Sequence, residues 1–119
     1  MVSRVEQHHS QILKGVLDMC VLASIVEEPI YGYALIQKLE ERGLSVPSEA
    51  SVYLVLKRLT ERGRIEHELV ESDSGPARKV YSATDLGRDV LYAWEADWDA
   101  VRSGVDAVLS GARGAKGET

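Results

Sequence analysis

The chain has 119 residues, 28% charged and 45% hydrophobic, and its 14 Lys and Arg against 19 Asp and Glu give a net charge of −5. That size and balance fit one globular domain and exclude wholesale disorder. Cys20 is alone, which rules out an internal disulfide and suits the cytoplasm. No basic-then-apolar leader opens the chain, and the apolar stretch 16–26 is broken by Asp18, so no membrane span is expected.

Residues 1–9 are polar and are expected to fray. A helix begins at Ser10, with Ile12, Leu13, Val16, Leu17, Cys20 and Val21 leading an apolar run to Val26. Its second half is apolar nearly all round and must be covered on more than one side; Glu27-Glu28-Pro29 ends it. Residues 31–42 read as a second helix, with Ala34, Leu35 and Leu39 on its apolar side and Gly43 as its stop. Ser48 caps a third helix, Glu49 favours its positive end, Val52, Leu56 and Leu59 line its inner face, and Gly63 stops it. Residues 65–70 and 79–83 form two strands joined through the turn-forming "ESDSGPA". Thr84 caps a last helix over 85–110, and the glycine-rich "GARGAKGET" (111–119) reads as a disordered tail.

Helix, helix, helix, hairpin, helix is the order of a winged helix-turn-helix, a mainly α (α+β) fold. Residues 10–83 then form a DNA-binding head and residues 84–110 a dimerisation helix. The acidic total hides an uneven distribution. Between residues 85 and 109 lie six acids and two bases, so the rest of the chain is close to neutral. Behind the Gly75-Pro76 turn, Arg78 and Lys79 give the hairpin a basic tip, where a wing meets a phosphate backbone.

Three segments in register, "PIYGYALIQKLEERG" (29–43), "SVYLVLKRLTERGRIE" (51–66) and "GPARKVYSATDLGRDVL" (75–91), resemble the PadR family of bacterial transcription regulators. The opening "ILKGVLDMCVLASI" (12–25) is similar to the family's first helix, so the resemblance spans roughly residues 10–109. It implies a homodimeric winged-helix repressor of operator DNA, responsive in many relatives to small aromatic or drug-like molecules. This chain has Leu54 where many relatives carry a proline after the tyrosine of the third helix.

The expected DNA contacts fall on three elements. On the third helix, Ser48, Ser51, Tyr53, Lys57 and Arg58 come early or lie off the apolar face; hydroxyls bond phosphates or bases, and Lys57 and Arg58 neutralise backbone charge. The same residues also read as a solvated face with one half-buried tyrosine. Tyr31 and Tyr33 flank Gly32 at the start of the second helix, where the dipole favours an anion, although either ring also reads as core packing. On the wing, Arg78 and Lys79 supply charge, with Arg64 added to the same face.

In the last helix Leu91, Trp94, Trp98, Val101, Val105 and Val108 are spaced alternately by three and four, an a/d seam that needs a long partner. The seam is short, and the first helix has an apolar surplus. The expected dimer interface therefore combines these six residues with Leu13, Val16 and Leu17. Trp94 and Trp98 serve there as fillers or as a stack for a flat aromatic effector. A Trp-lined pore at the dimer centre in the family's drug-binding branch makes Trp98 the better match. No metal or cofactor is expected: His8, His9, Cys20 and His67 have no ligand spacing. No catalytic signature appears, so no enzyme is expected. The rival reading is a winged-helix module that binds protein without DNA.

Overall fold

The computed structural model of the chain describes residues 4–117; residues 1–3 and 118–119, part of the expected frayed start and tail, lie outside the described residues. Seven elements follow in order: α1 (Arg4–Glu27), β1 (Ile30–Tyr31), α2 (Gly32–Glu41), α3 (Glu49–Glu61), β2 (Ile65–Ser72), β3 (Gly75–Ala83) and α4 (Asp85–Gly117).

α1 is the hub. Leu17, Val21, Leu22 and Ile25 are buried, and the helix packs against α2, α3, α4 and β3, which answers its apolar second half. α2 adds Leu35, Ile36 and Leu39, α3 adds Val52, Val55, Leu56 and Leu59, and the sheet adds Ile30, Ile65, Tyr81 and Ala83. The segment His8–Glu27, at a mean hydropathy of 1.3, is long and apolar enough to cross a membrane by composition, contrary to the sequence expectation. Leu13, Leu17, Val21, Leu22 and Ile25 of this segment are buried within the protomer, whereas Ile12 is exposed.

α2 and α3 end alike. The N–H of Gly43 donates to the Glu40 carbonyl and that of Leu44 to the Leu39 carbonyl, both at 3.0 Å. Gly63 and Arg64 repeat the pattern on Thr60 and Leu59. This closure needs a left-handed residue just past the helix, and Gly43 (φ +91°) and Gly63 (φ +73°) supply it without the Cβ penalty. Ser48 caps α3, its Oγ accepting from the Ser51 N–H at 3.1 Å.

The hairpin is longer than expected. β2 and β3 run to a two-residue turn at Asp73-Ser74, with an irregularity between Val70 and Ser72. β1, which the sequence did not announce, adds a third antiparallel strand in the order β1-β3-β2, with Ile30 opposite Tyr81 and Tyr31 opposite Val80. It ties the start of α2 to the wing.

Thr84 joins head to stem. Its Oγ1 donates to the Gly63 carbonyl at 2.6 Å and accepts from the Gly87 N–H at 3.0 Å, capping α4 while holding the end of α3. Gly87 lies directly on the Arg64 carbonyl, where no Cβ fits.

Both terminal helices outrun their expected bounds. α1 starts at Arg4 rather than Ser10, because no proline or glycine interrupts residues 4–14. α4 continues to Gly117 rather than stopping at Ser110. Gly111 and Gly114 stay at negative φ, and Ala112, Arg113 and Ala115 are good helix formers, so the expected tail is helical as far as it is described.

Candidate nucleic-acid interface

Three elements converge on one concave face. The β1–α2 junction brings Tyr31, Gly32 and Tyr33, α3 brings Tyr53, and β3 brings Arg78, Lys79 and Tyr81, together lining a cavity of about 380 Å³. The Arg78 guanidinium sits 4.9 Å above the Tyr31 ring, which orients the cation without consuming its hydrogen-bond donors. Tyr53 lies against Gly32, so close that a Cβ there would stand 2.7 Å from Cε1 of the ring. Tyr33 and Tyr53 are 58% and 46% exposed, so both side chains are reachable from outside the protomer. Burial, and secondarily the neighbouring Tyr53, pushes the Tyr81 phenol up, which keeps it a proton donor. No carboxylate lines the cavity among the described residues. Phenol and cation donors with no negative charge between them suit an anion.

Of the expected contact residues, Tyr31, Tyr33, Tyr53, Arg78 and Lys79 share this face. Lys57 stands one turn beyond Tyr53 on the same flank of α3, 71% exposed and only 4.0 Å from Glu61, a pairing too loose to withhold it. Ser48 keeps its proton, because its oxygen is the capping acceptor. Ser51 differs: its hydroxyl donates to the Ser48 carbonyl at 2.6 Å and has no proton left for a phosphate.

Two expected bases are elsewhere. Arg58 turns away from this face and bonds Asp18 of α1 at 2.8 Å. A half-covered guanidinium needs a counter-charge, and α1 offers one. Arg64, expected on the wing, stacks 5.0 Å over Trp94. Tyr81 and the close fit of Gly32 complete the cavity. The sequence signalled Tyr81 only through its place on the inward side of a strand.

A second concavity, of about 880 Å³, runs between α1 and α4. Trp94, Trp98, Val101 and Val105 face Ile12, Val16 and Met19 across it, and Arg58 and Asp18 close one wall. Two of the residues expected at a dimer surface are spent within the chain: Leu13 and Leu17 are 2% and 4% exposed, because the apolar face of α1 that carries them turns into its own protomer. Leu91 and Trp94 are partly buried against the core. Trp98, Val101, Val105 and Val108 remain exposed, and the sequence reading omitted Ile12, Met19 and Leu109 from this surface.

Residues 21–93 match the sequence model of the transcriptional regulator PadR-like family. The chain belongs to that family. An uncharacterised protein of Lysinibacillus sphaericus is 32% identical over 104 residues, 86% of this chain and 95% of the relative. The crystal structure of a PadR-like transcriptional regulator from Bacillus cereus is 41% identical, with a TM-score of 0.75 over 84% of this chain and 97% of that one. That of a PadR family transcriptional regulator from Eggerthella lenta is 33% identical, with a TM-score of 0.80 over 88% and 91%. PadR-like proteins are DNA-binding transcriptional regulators rather than enzymes, and this chain has their winged-helix α+β fold. The PadR match takes in the whole tyrosine–arginine cavity and stops just before Trp94.

Proposed function

We propose that this PadR-like protein is a cytoplasmic homodimer that binds operator DNA and represses transcription from it. The cavity of Tyr31, Tyr33, Tyr53, Arg78 and Lys79 carries the reading: an acidic chain has gathered phenols and bases, without a carboxylate, where the α2–α3 unit meets the wing. α3 enters the major groove by its N-terminal half, with Ser48, Tyr53 and Lys57 toward the duplex, while the wing holds the neighbouring phosphates. Residues 10–83 act as the head and α4 as the dimerising stem.

The partner for the stem is a second copy. Val101, Val105 and Val108 are 59%, 49% and 72% exposed at seam spacing, continuous with Trp98 and Ile12. An apolar stripe of that length on an acidic helix is satisfied by an identical stripe across a twofold axis. Such an axis sets two copies of α3 about 34 Å apart, one turn of duplex. The volume between α1 and α4 and its two indoles favour a second role, holding a flat aromatic effector whose presence alters the spacing of the heads.

The test is a fluorescence-anisotropy titration of the duplex upstream of the protein's own gene, at about 50 and about 200 mM salt. A regulator binds tightly at the lower concentration and loses affinity steeply at the higher. A winged-helix module that binds only protein shows no salt-sensitive affinity for that duplex.

A further inference from the structure

The flank of α3 that faces away from the cavity is fastened to the α1–α4 groove. Arg58 Nη2 donates to Asp18 Oδ1 at 2.8 Å, with the two side chains 43% and 32% exposed. Among the described residues this is the one ion pair that joins α3 to another element. Both partners line the groove beside Trp94 and Trp98.

The inner face of α3, Val52, Val55, Leu56 and Leu59, is buried in the core. Apolar contact is non-directional, and the charge pair adds a directional tie on one flank that biases the roll of the helix. Arg58 lies about 140° around the helix from Tyr53 and about 100° from Lys57, so a roll about Arg58 moves both of those side chains across the reading face. A group filling the part of the groove beside Trp94 and Trp98 shares that wall with Arg58 and Asp18. Bulk placed beside Arg58 displaces the guanidinium, and with it the flank of α3 that Asp18 holds.

We infer that the Asp18–Arg58 pair couples the groove to the reading helix, with Arg58 acting as a positioning residue through which groove filling changes DNA affinity. This rests on the DNA-binding reading above.

The groove can be filled without a ligand. Gly15 lines it and has nothing within 4 Å of the place its Cβ would take, so Gly15→Trp puts an indole into the space; Met19→Trp is a second filler from the same helix. The duplex Kd of each is measured in the native background, with Asp18→Asn, and with the conservative Asp18→Glu, at concentrations where sedimentation shows the oligomer to be the same. At least one filler is expected to shift Kd about five-fold or more in the native and Asp18→Glu backgrounds and less than about two-fold with Asp18→Asn. Equal shifts in all backgrounds, or no shift from either filler, overturn the coupling. No duplex binding by the native protein is a different result, and sinks the regulator reading itself along with the coupling built on it.

Discussion

Gly32 and Tyr53 are matched to one another: the ring of Tyr53 occupies the place where any other residue at 32 would carry its Cβ, 2.7 Å from Cε1 and 2.9 Å from the hydroxyl oxygen. Tyr53 is 46% exposed and free to swing outward. Gly32→Ala should therefore cost little stability, within about 1 kcal/mol, since relief of the clash needs only a side-chain rotation and alanine is the better helix former. Duplex affinity should fall several-fold, because the displaced ring opens the cavity. Chemical denaturation paired with anisotropy tests this; equal loss of stability and affinity would point to a purely structural glycine.

Gly87 gives the opposite contrast. Its would-be Cβ meets the Arg64 carbonyl, and backbone on both sides is tied down by Thr84. Gly87→Ala should lose about 1–3 kcal/mol, as overpacking does where no side chain can yield. A thermal melt shifted downward by several degrees is the expected reading.

The wing's share of binding should appear in its salt dependence. In a dimer Arg78→Ala removes two cations, one from each head, and should lower the slope of log Kd against log salt by about two units. Combined with Lys57→Ala the slope falls by about four, and the oligomer is unaffected, because neither side chain lines the α1–α4 groove. An unchanged slope would place both bases off the DNA.

The stem's seam can be broken without disturbing the protomer. Val101 is 59% exposed and lies beyond the core cluster, so Val101→Asp leaves the head intact while putting a charge into an apolar contact. Sedimentation should show monomers at micromolar concentration, with helical content unchanged. Trp98→Asp should do the same. Dimers persisting in both variants would remove α4 from the interface.

Acid should loosen the corner between α1 and α2. Arg42 grips Glu27 through two hydrogen bonds of 2.8 Å, with Lys38 at 3.1 Å, and they hold the Glu27 carboxyl down at about 2, Arg42 contributing most. Because the folded value is depressed, the contribution is present above the ordinary carboxylate value of 4.5 and is lost as pH falls from there toward 2. Glu27→Gln should flatten this part of the stability–pH curve between those limits and leave the rest unchanged.

Most of the architecture was legible in local signals. Gly43 and Gly63 mark helix ends because the closing turn demands their backbone, and the periodicity of α3 gives its buried face directly. β1 was not legible: two residues carry no alternation, and their strand character exists only because β3 lies alongside. Periodicity also shows that Leu13 and Leu17 are covered but not by what, so they were assigned to a partner when their own protomer covers them. Arg58 and Lys57 are neighbours with the same charge in the sequence. What separates them is Asp18, forty residues earlier, and Arg64 is likewise claimed by Trp94, thirty residues later. The cavity of five expected residues was foreseen in its members but not in its shape, which depends on the ring of Tyr53 seated on Gly32.

The Thr84 joint gives α4 a fixed origin. From there each residue advances the helix by 100°, so one residue gained or lost before Trp94 would swing the whole distal stripe a quarter turn or more out of phase with α1. Side chains along the stem can drift individually, but its length is quantised. A change of about seven residues is the shortest that brings the stripe back to within about 20° of its original azimuth, and even that slides the two reading heads about 10 Å along the stem relative to the seam.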